Sequence, residues 1–489
     1  MQIDIRATDR LRGEKAFDIG PVLSSLAHAV AGSDLDLARL RVVCDWVQYR
    51  QAFRRPIDLR PILPSALQPS DTFDAYELAL DLRRAGNIDI EAEFAKVLAE
   101  QAKGSKGQYM EDWRNGSESC IWDFNGLYWN ALGLWEQGTG REYEQALPGG
   151  ESDARNTEAA RELILRLFST WDQLAARQAL PEDLHILELG VGNGNQARVW
   201  LDEFRRLDRE ANRDYYRRLH YLMGDYSPHV LARARENVKA HADHTSSLVL
   251  DARVPSETLG FLRSKAFLIY ISNVYDNLPT DEIVRIGGHL FRVEVRAYIP
   301  TETAEKVAAD LKLEPKDLPD LVHRLVQLGP ELLAAAAPER FPGGPLTVVE
   351  FWRVVWESMR LDERYTPLEG LDTYRVTPNI SGEVMRPIVE ANGDLRMHVS
   401  NGAVASFLDS LPLLHPFGIL ECHDIFVTNV QQYETSFRGP GKYDGSVVNW
   451  VNGPMLSAIG RRNGYEVNYE AFTHRTGSNI TTLTARVQE

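Results

Sequence analysis

The sequence predicts an α/β fold built around a parallel sheet, and three observations lead there. Between residues 184 and 299, short apolar runs alternate with helical patterns, as strand–helix–strand units do. The first run, Leu184-His-Ile-Leu-Glu-Leu189, passes directly into Gly190-Val-Gly-Asn-Gly194 and then into a helical pattern from Gln196 to Phe204. Three of the runs carry an acid at or near their carboxyl end, Glu188, Asp225 and Asp251, and open parallel sheets bind ligands at that end.

Composition sets the outer limits. With 489 residues the chain exceeds one ordinary core, so two or three domains or large insertions are expected. Its 44% hydrophobic and 25% charged residues are ordinary for a globular protein. A formal charge of -16 argues against a nucleic-acid partner, which needs a basic surface. Cys44, Cys120 and Cys422 form no C-x-x-C pair, and no His, Cys and Asp cluster has ligand spacing, so neither a metal site nor a disulfide framework is expected. Met1-Gln-Ile-Asp-Ile-Arg6 contains acids and lacks the apolar segment of a signal peptide. No apolar run approaches the roughly 20 residues of a membrane span. The expectation is a cytoplasmic protein with no membrane partner.

Taken in order, residues 1 to about 100 read as helical. Apolar residues recur at helical spacing in Asp18–Val30, Leu37–Trp46, Ala75–Leu82 and Ile90–Leu98, around a loop passage punctuated by Pro56, Pro61, Pro64 and Pro69. Tyr109, Trp113, Trp122, Phe124, Tyr128, Trp129, Trp135 and Tyr143 then crowd together, a density that either builds a small core or lines a ligand cleft. Residues 1–150 are read as a helical region forming part of a lid. Glu158–Leu174 is an amphipathic helix, with Asp153 or Asn156 as its cap.

The core strands follow at Leu184–Leu189, Leu219–Met223, Ser247–Leu250 and Ala266–Ile271, with a helix over Pro228–Val238. Residues 300–400 break the alternation and read as a cap insertion. They hold helices at Asp320–Leu328 and Thr347–Met359, the second opened by a Thr347-x-x-Glu350 capping box, and short strands at Arg375–Ile380 and Leu395–Val399. The core resumes with a fifth strand at Phe417–Cys422 and a final hairpin, Tyr465–Val467 and Ile480–Val487. The domain reading is therefore 1–150, a core in two parts, 151–299 and 401–489, and the 300–400 insertion.

Gly190, Gly192 and Gly194 lack a Cβ, so the chain can turn sharply and a nucleoside can lie against it. The spacing Glu-x-Gly-x-Gly-x-Gly is neither the dinucleotide pattern nor the phosphate loop. It resembles motif I of the class I S-adenosylmethionine (SAM) methyltransferases. That resemblance implies a Rossmann-like, seven-stranded sheet with an antiparallel last strand, and SAM as cofactor. On this reading Glu188 faces the ammonium, Asp225 the ribose hydroxyls and Asp251 the adenine amino group, with Asn273 at the next strand end. Methyl transfer also needs an acceptor held in line, and sometimes a base. The candidates follow the fourth and fifth strands: Tyr275, Asp276, His423 and Asp424, with Tyr443 and Asp444 reaching over from a late loop. His423, beside Asp424, is a candidate general base.

At Ser272-Asn-Val-Tyr-Asp-Asn-Leu-Pro279 the chain resembles the MidA-type SAM methyltransferases, which carry Asn-Glu-Phe-Phe-Asp-Ala-Leu-Pro there. Asp276, Leu278 and Pro279 match, and Tyr275 stands for the second Phe. Gly287-Gly-His-Leu-Phe-Arg-Val-Glu-Val is similar to that family's following strand pair. Gly418–Asp424 resembles its fifth strand, and Pro440-Gly-Lys-Tyr-Asp-Gly-Ser446 its Pro-Gly-x-x-Asp-x-Thr. The resemblance spans Leu184–Ile299 and residues from about Asn401 onward. Members are associated with protein arginine methylation in assembly of the respiratory NADH dehydrogenase. Here the family's Glu falls on Asn273, and its Tyr-Gly on Ile425 and Phe426. Asn273 cannot supply the charge that holds a guanidinium. The first expectation is therefore a small-molecule acceptor enclosed by the aromatic segment and the cap. A protein arginine acceptor is the second, and a SAM-binding assembly protein without turnover the third. A homodimer is compatible with each.

Overall fold

The computed structural model describes residues 2–6, 11, 16–49, 51–64, 75–143, 156–435, 439–475 and 477–488. They fold as two units, one of residues 128–278, 400–428 and 451–489, the other of 1–127, 279–399 and 429–450. One division, between 399 and 400, falls where the insertion was expected to end; the others fall after 127 and 278 rather than 150 and 299, and residues 429–450 return to the unit that holds the N-terminal region and residues 279–399.

Unit 128–278/400–428/451–489 is organised on one sheet. Its strands are β1 (Leu184–Leu189), β2 (Leu219–Asp225), β3 (Thr245–Val249), β4 (Ala266–Ser272), β5 (Leu414–Asp424), β6 (Tyr465–Ala471) and β7 (Thr481–Val487). They lie in the order β6-β7-β5-β4-β1-β2-β3. β7 runs antiparallel to both of its neighbours, and the other pairs are parallel. β1 and β4 are central and buried on both faces, which is why they read as continuous apolar runs rather than alternating ones. The chain moves outward from β1 to β2 and β3 on one side and from β4 to β5 on the other. The crevice between the carboxyl ends of β1 and β4 is thus a topological switch point.

Four helices matter to that crevice: α1 (Leu132–Thr139), α2 (Thr157–Ala176), α3 (Asn195–Glu210) and α4 (Pro228–Asn237). Asn156 caps α2 by accepting from the N–H groups of Glu158 and Ala159. Asp153, the other candidate cap, lies outside the described residues. Leu163, Leu167, Trp171 and Leu174 bury the predicted stripe of α2, and Trp171 packs edge-on to Phe204 of α3 at 5.9 Å. Full burial of each such side chain contributes about 1.5–3 kcal/mol. Ser227 and Pro228 start α4, the serine as cap and the proline preset for the first turn.

The other unit corrects the helical reading of the N-terminus. Leu37–Trp46 and Ala75–Leu82 are not helices: Leu40–Asp45 and Tyr76–Asp81 are adjacent parallel strands of a four-stranded sheet completed by Gln2–Ile5 and Ile57–Pro61. All six residues of Leu40–Asp45 are buried, and two-sided burial erases the alternation that marks a strand in sequence. Gly20–Ala31 and Ile90–Lys103 are helices, as their spacing predicts. A second sheet orders Arg360–Pro367, His289–Pro300, Glu282–Ile286 and Leu395–His398. The helix expected from Thr347 is Pro345–Ser358, capped by Gly344; the Thr347 hydroxyl donates to the Gly344 carbonyl, so Thr347 lies inside the helix and no capping box forms. Glu363 is buried among three arginines, accepting from Arg54 Nε at 3.0 Å and Arg396 Nη1 at 3.0 Å and ion-paired with Arg60, whose Nε lies 2.9 Å away.

Among the described residues no helix is long and apolar enough to cross a membrane. No group of three or more His, Cys, Asp or Glu among them is arranged to hold a metal ion, and Cys44, Cys120 and Cys422 are free thiols.

Candidate active site

The glycine loop is held by backbone and by one carboxylate. The N–H groups of Gly190 and Val191 donate to the Gly224 carbonyl at 2.8 and 3.2 Å, which ties the loop to the end of β2. Asp225, the last residue of β2, accepts from Gly192 N–H at 3.0 Å and from Ser227 N–H at 3.0 Å. Burial pushes its carboxyl above the ordinary range, against the pull of these backbone donors. Asp225 therefore splints the loop as well as facing the crevice, and a carboxylate retains lone pairs for further donors.

The three glycines divide by what a side chain would meet. All have positive φ, +72°, +56° and +77°. A Cβ on Gly190 would lie 2.3 Å from Val274 Cγ2, and one on Gly194 would lie 2.8 Å from Ala234 Cα of α4. These two are required by the chain's own packing. Among the described residues a Cβ on Gly192 would meet only the Tyr143 hydroxyl, at 3.1 Å, so Gly192 has the most open edge of the three.

Glu188 is 2% exposed and accepts from the Tyr221 hydroxyl at 2.6 Å. Burial, and then the charge of Asp225, push its carboxyl up to about 8. Asp251, just past β3, is bound by Arg253 through Nε at 3.0 Å and Nη2 at 2.6 Å. Burial acts to raise its pKa, but the Arg253 hydrogen bonds outweigh it and hold the carboxylate below the ordinary range. Tyr226, next to Asp225, is 49% exposed.

Asn273 follows β4 with φ +52°, and its N–H donates to the His423 carbonyl at 3.0 Å. A short turn, Tyr275–Asn277, comes next. Asp424 organises it, accepting from Tyr275 N–H at 2.9 Å, Asp276 N–H at 3.2 Å and Ile425 N–H at 2.7 Å. Burial pushes Asp424 up to about 6, with those backbone donors opposing. Asp276 is pushed well above the ordinary range, first by burial and then by Asp424. Tyr275 is buried beside Ser406. Asp276 and Asp424 are thus brought together as expected from the two strand ends.

His423 and Asp424 are not brought together. Adjacent strand residues point to opposite faces. The His423 ring meets Thr482 Oγ1 at 2.9 Å through Nδ1 and Glu421 Oε1 at 3.3 Å through Nε2, and Glu421 is also bound by Arg166 of α2. With 4% of its surface exposed, His423 is a buried hydrogen-bonder oriented by Glu421. Tyr443 and Asp444 belong to the other unit, where the Asp444 carbonyl accepts from the Trp356 indole at 2.8 Å. The aromatic segment is also divided: Trp122 and Phe124 are buried in one unit, Tyr128 and Trp135 in the other.

Residues 163–339, which include the glycine loop and the Asn273–Pro279 turn, match the family described as "Putative S-adenosyl-L-methionine-dependent methyltransferase". Over these residues the chain is a SAM-dependent methyltransferase. No curated protein matches it. Among solved structures, the methyltransferase is similar to a COG1565 superfamily member from Burkholderia thailandensis bound to S-adenosyl-homocysteine, with 13% identity over 81% of this chain and 92% of that one and a TM-score of 0.45. It is also similar to the CcbJ methyltransferase from Streptomyces caelestis, with 10% identity over 75% of this chain and 99% of that one and a TM-score of 0.32.

The residues present fit SAM. A side chain at Gly192 would narrow the loop edge, and Asp225 lies beside it, accepting from the Gly192 N–H at 3.0 Å. Of the three acids expected to hold its ammonium, ribose and adenine amino groups, Asp225 is tied to the loop, Glu188 is buried against Tyr221 and Asp251 is paired with Arg253.

Proposed function

We propose that the methyltransferase acts on an oxygen or nitrogen of a small-molecule acceptor, with its core in the class I arrangement. When bound, SAM supplies a methyl carbon made electrophilic by the sulfonium. The chain's own residues position and exclude. Asp225 fixes the loop through Gly192 N–H, and Asp424 fixes the Tyr275–Asn277 turn through the N–H groups of Tyr275 and Asp276.

The observation that carries the acceptor class is the chemistry of that turn. Asn273 is a neutral amide, Asp424 is 0% exposed and committed to backbone N–H groups, and burial, then the charge of Asp424, raises the Asp276 carboxyl well above its ordinary range. A buried carboxyl whose charged form is disfavoured in this way is a poor partner for a guanidinium. This supports a neutral, hydroxylic or amine acceptor over arginine. His423 has no base role in this reading, because its ring is enclosed by Thr482 and Glu421.

The test pairs binding with transfer. Calorimetry should show S-adenosyl-homocysteine binding to the wild type and its loss in Asp225→Ala. Transfer of radiolabelled methyl should then appear on small hydroxylic or amine acceptors and persist in a chelator. Label found only on arginine-containing peptides would replace the small-molecule reading with the protein one. Tight binding with no transfer to either class would favour a non-catalytic binder.

A further inference from the structure

The carboxyl edge of the sheet carries an ion pair outside the glycine loop. Asp225 ends β2 and is the register partner of Val249, the last residue of β3. The Leu250 N–H then donates to the Asp225 carbonyl at 3.0 Å, so Asp251 follows directly along the same edge. Leu250 anchors this segment in the core: it is 4% exposed, and a Cβ on Gly224 would lie 2.6 Å from its Cδ2. The two acids thus stand on neighbouring strand ends, where open parallel sheets bind ligands. Asp251 is gripped by Arg253, two residues on. Its Oδ1 accepts from the Arg253 backbone N–H at 2.8 Å and from Nε at 3.1 Å, and its Oδ2 accepts from Nε at 3.0 Å and Nη2 at 2.6 Å. A carboxylate has about four lone-pair sites, so three donors leave it acceptor capacity for another.

We infer that Arg253 is a positioning residue for the adenine of SAM, its guanidinium fork holding the Asp251 carboxylate in the orientation that accepts from the 6-amino group. The inference rests on the SAM reading and deepens it with a residue outside the glycine motif and the strand-end acids. Three observations support it. The pair contributes little as a stability element: the Arg253 side chain is 51% exposed and that of Asp251 31%, and such pairs contribute about 0–1 kcal/mol. Its geometry is specific, because two side-chain nitrogens on one carboxylate fix the rotation of the carboxyl group, which a backbone N–H alone does not. The fork also keeps the acceptor charged: burial acts to protonate Asp251, and the Arg253 bonds outweigh it. Among the described residues, Arg253 is the one ionisable group acting on Asp251, while Asp251 and Tyr226 act on Arg253. An ionised carboxylate accepts from an amino group and repels a 6-oxo oxygen, so the fork sets a preference for adenine over its 6-oxo counterpart.

The experiment titrates the full chain by calorimetry with S-adenosyl-homocysteine and with its 6-oxo analogue, S-inosyl-homocysteine. The wild type should prefer the adenosyl ligand by at least about tenfold. Arg253→Met keeps the length of the side chain and removes the fork; it should weaken adenosyl binding by about 3- to 10-fold and narrow the preference. The ratio of wild-type to variant affinity should widen as pH is lowered from 8 to 5, because burial protonates Asp251 once the fork is gone. Asp251→Ala should lose the preference, and Arg253→Met should add nothing in that background, because a positioning residue acts only through the residue it positions. A merely structural role for Arg253 would instead weaken both ligands equally at every pH and in both backgrounds, and that result would refute the positioning claim. Unchanged affinity and preference in Arg253→Met, or a wild type that binds both ligands alike, would overturn it as well. No binding of S-adenosyl-homocysteine by the wild type would overturn the SAM reading itself, which is a different result.

Discussion

Gly194→Ala and Gly192→Ala should fail in different ways, although the two glycines share one motif. Both sit in the left-handed region, φ +77° and +56°, where an alanine costs roughly 1–2 kcal/mol. At Gly194 the new methyl would also stand 2.8 Å from Ala234 Cα, 2.9 Å from its Cβ and 3.1 Å from its carbonyl oxygen. Those atoms belong to a helix, so α4 must move away from the loop, an overpacking cost of about 1–3 kcal/mol. The total is about 2–5 kcal/mol, against a typical native stability of about 5–15 kcal/mol. At Gly192 the methyl meets only the far end of the Tyr143 side chain, at 3.1 Å, so little is added to the conformational term. At about 2–4 °C per kcal/mol for a unit of this size, Gly194→Ala should melt roughly 4–20 °C lower and Gly192→Ala only a few degrees lower. Binding should order the other way. Gly192→Ala narrows the open edge and should lose at least about tenfold in S-adenosyl-homocysteine affinity, equivalent to about 1.4 kcal/mol. Gly194→Ala, below its melting temperature, should stay nearer the wild type. The assays are a thermal melt followed by fluorescence and calorimetric titration of the same samples. Equal melting losses, or a larger binding loss at Gly194, would refute the division of the glycines into packing and cradle.

Other outcomes follow from the buried charges. Glu188 has its carboxyl raised from 4.5 to about 8, so the folded state holds the extra proton between those values. Its stabilising contribution is complete below about 4.5 and is lost as pH rises through about 8; Glu188→Gln should therefore gain stability relative to the wild type from pH 5 to 9, and a pH-independent difference in melting temperature would contradict this. Glu363→Gln removes the charge that faces Arg54, Arg60 and Arg396, and should cost about 3–5 kcal/mol by urea unfolding, because the arginines remain buried without it. A loss under 1 kcal/mol would mean that the network relaxes or hydrates. His423→Ala should lower stability through Thr482 and Glu421 while leaving the pH dependence of turnover unchanged; a lost alkaline or acid limb would restore it as the base.

Much of the core was legible because parallel sheets write themselves plainly. Central strands are short apolar runs, their ends are marked by Glu188, Asp225 and Asp251, and the glycines between β1 and α3 have few other uses. The Asp276 and Asp424 pair was also within reach, since both follow strands expected to be neighbours. The same plainness misled at the N-terminus. Tyr-Glu-Leu-Ala-Leu-Asp81 is rich in residues that favour helix, and only pairing with Leu40–Asp45 makes it a strand.

By itself, the sequence determined the α/β core, the glycine loop and the acids at the strand ends, because each depends on local pattern and spacing. Tertiary structure decided the rest, because it depends on partners far away along the chain. Glu363 meets Arg54 across a separation of 309 residues, which no periodicity encodes. The strand pleat sends His423 to Glu421 and Asp424 to the Tyr275 turn, although the two are neighbours in sequence. Gly190 and Gly194 prove to be packing positions only once Val274 and Ala234 stand against them, and Tyr143 meets Gly192 across 49 residues of chain. Which atoms crowd a Cβ and which leave it open is a property of the packed chain, and that distinction separates the cradle from its scaffold.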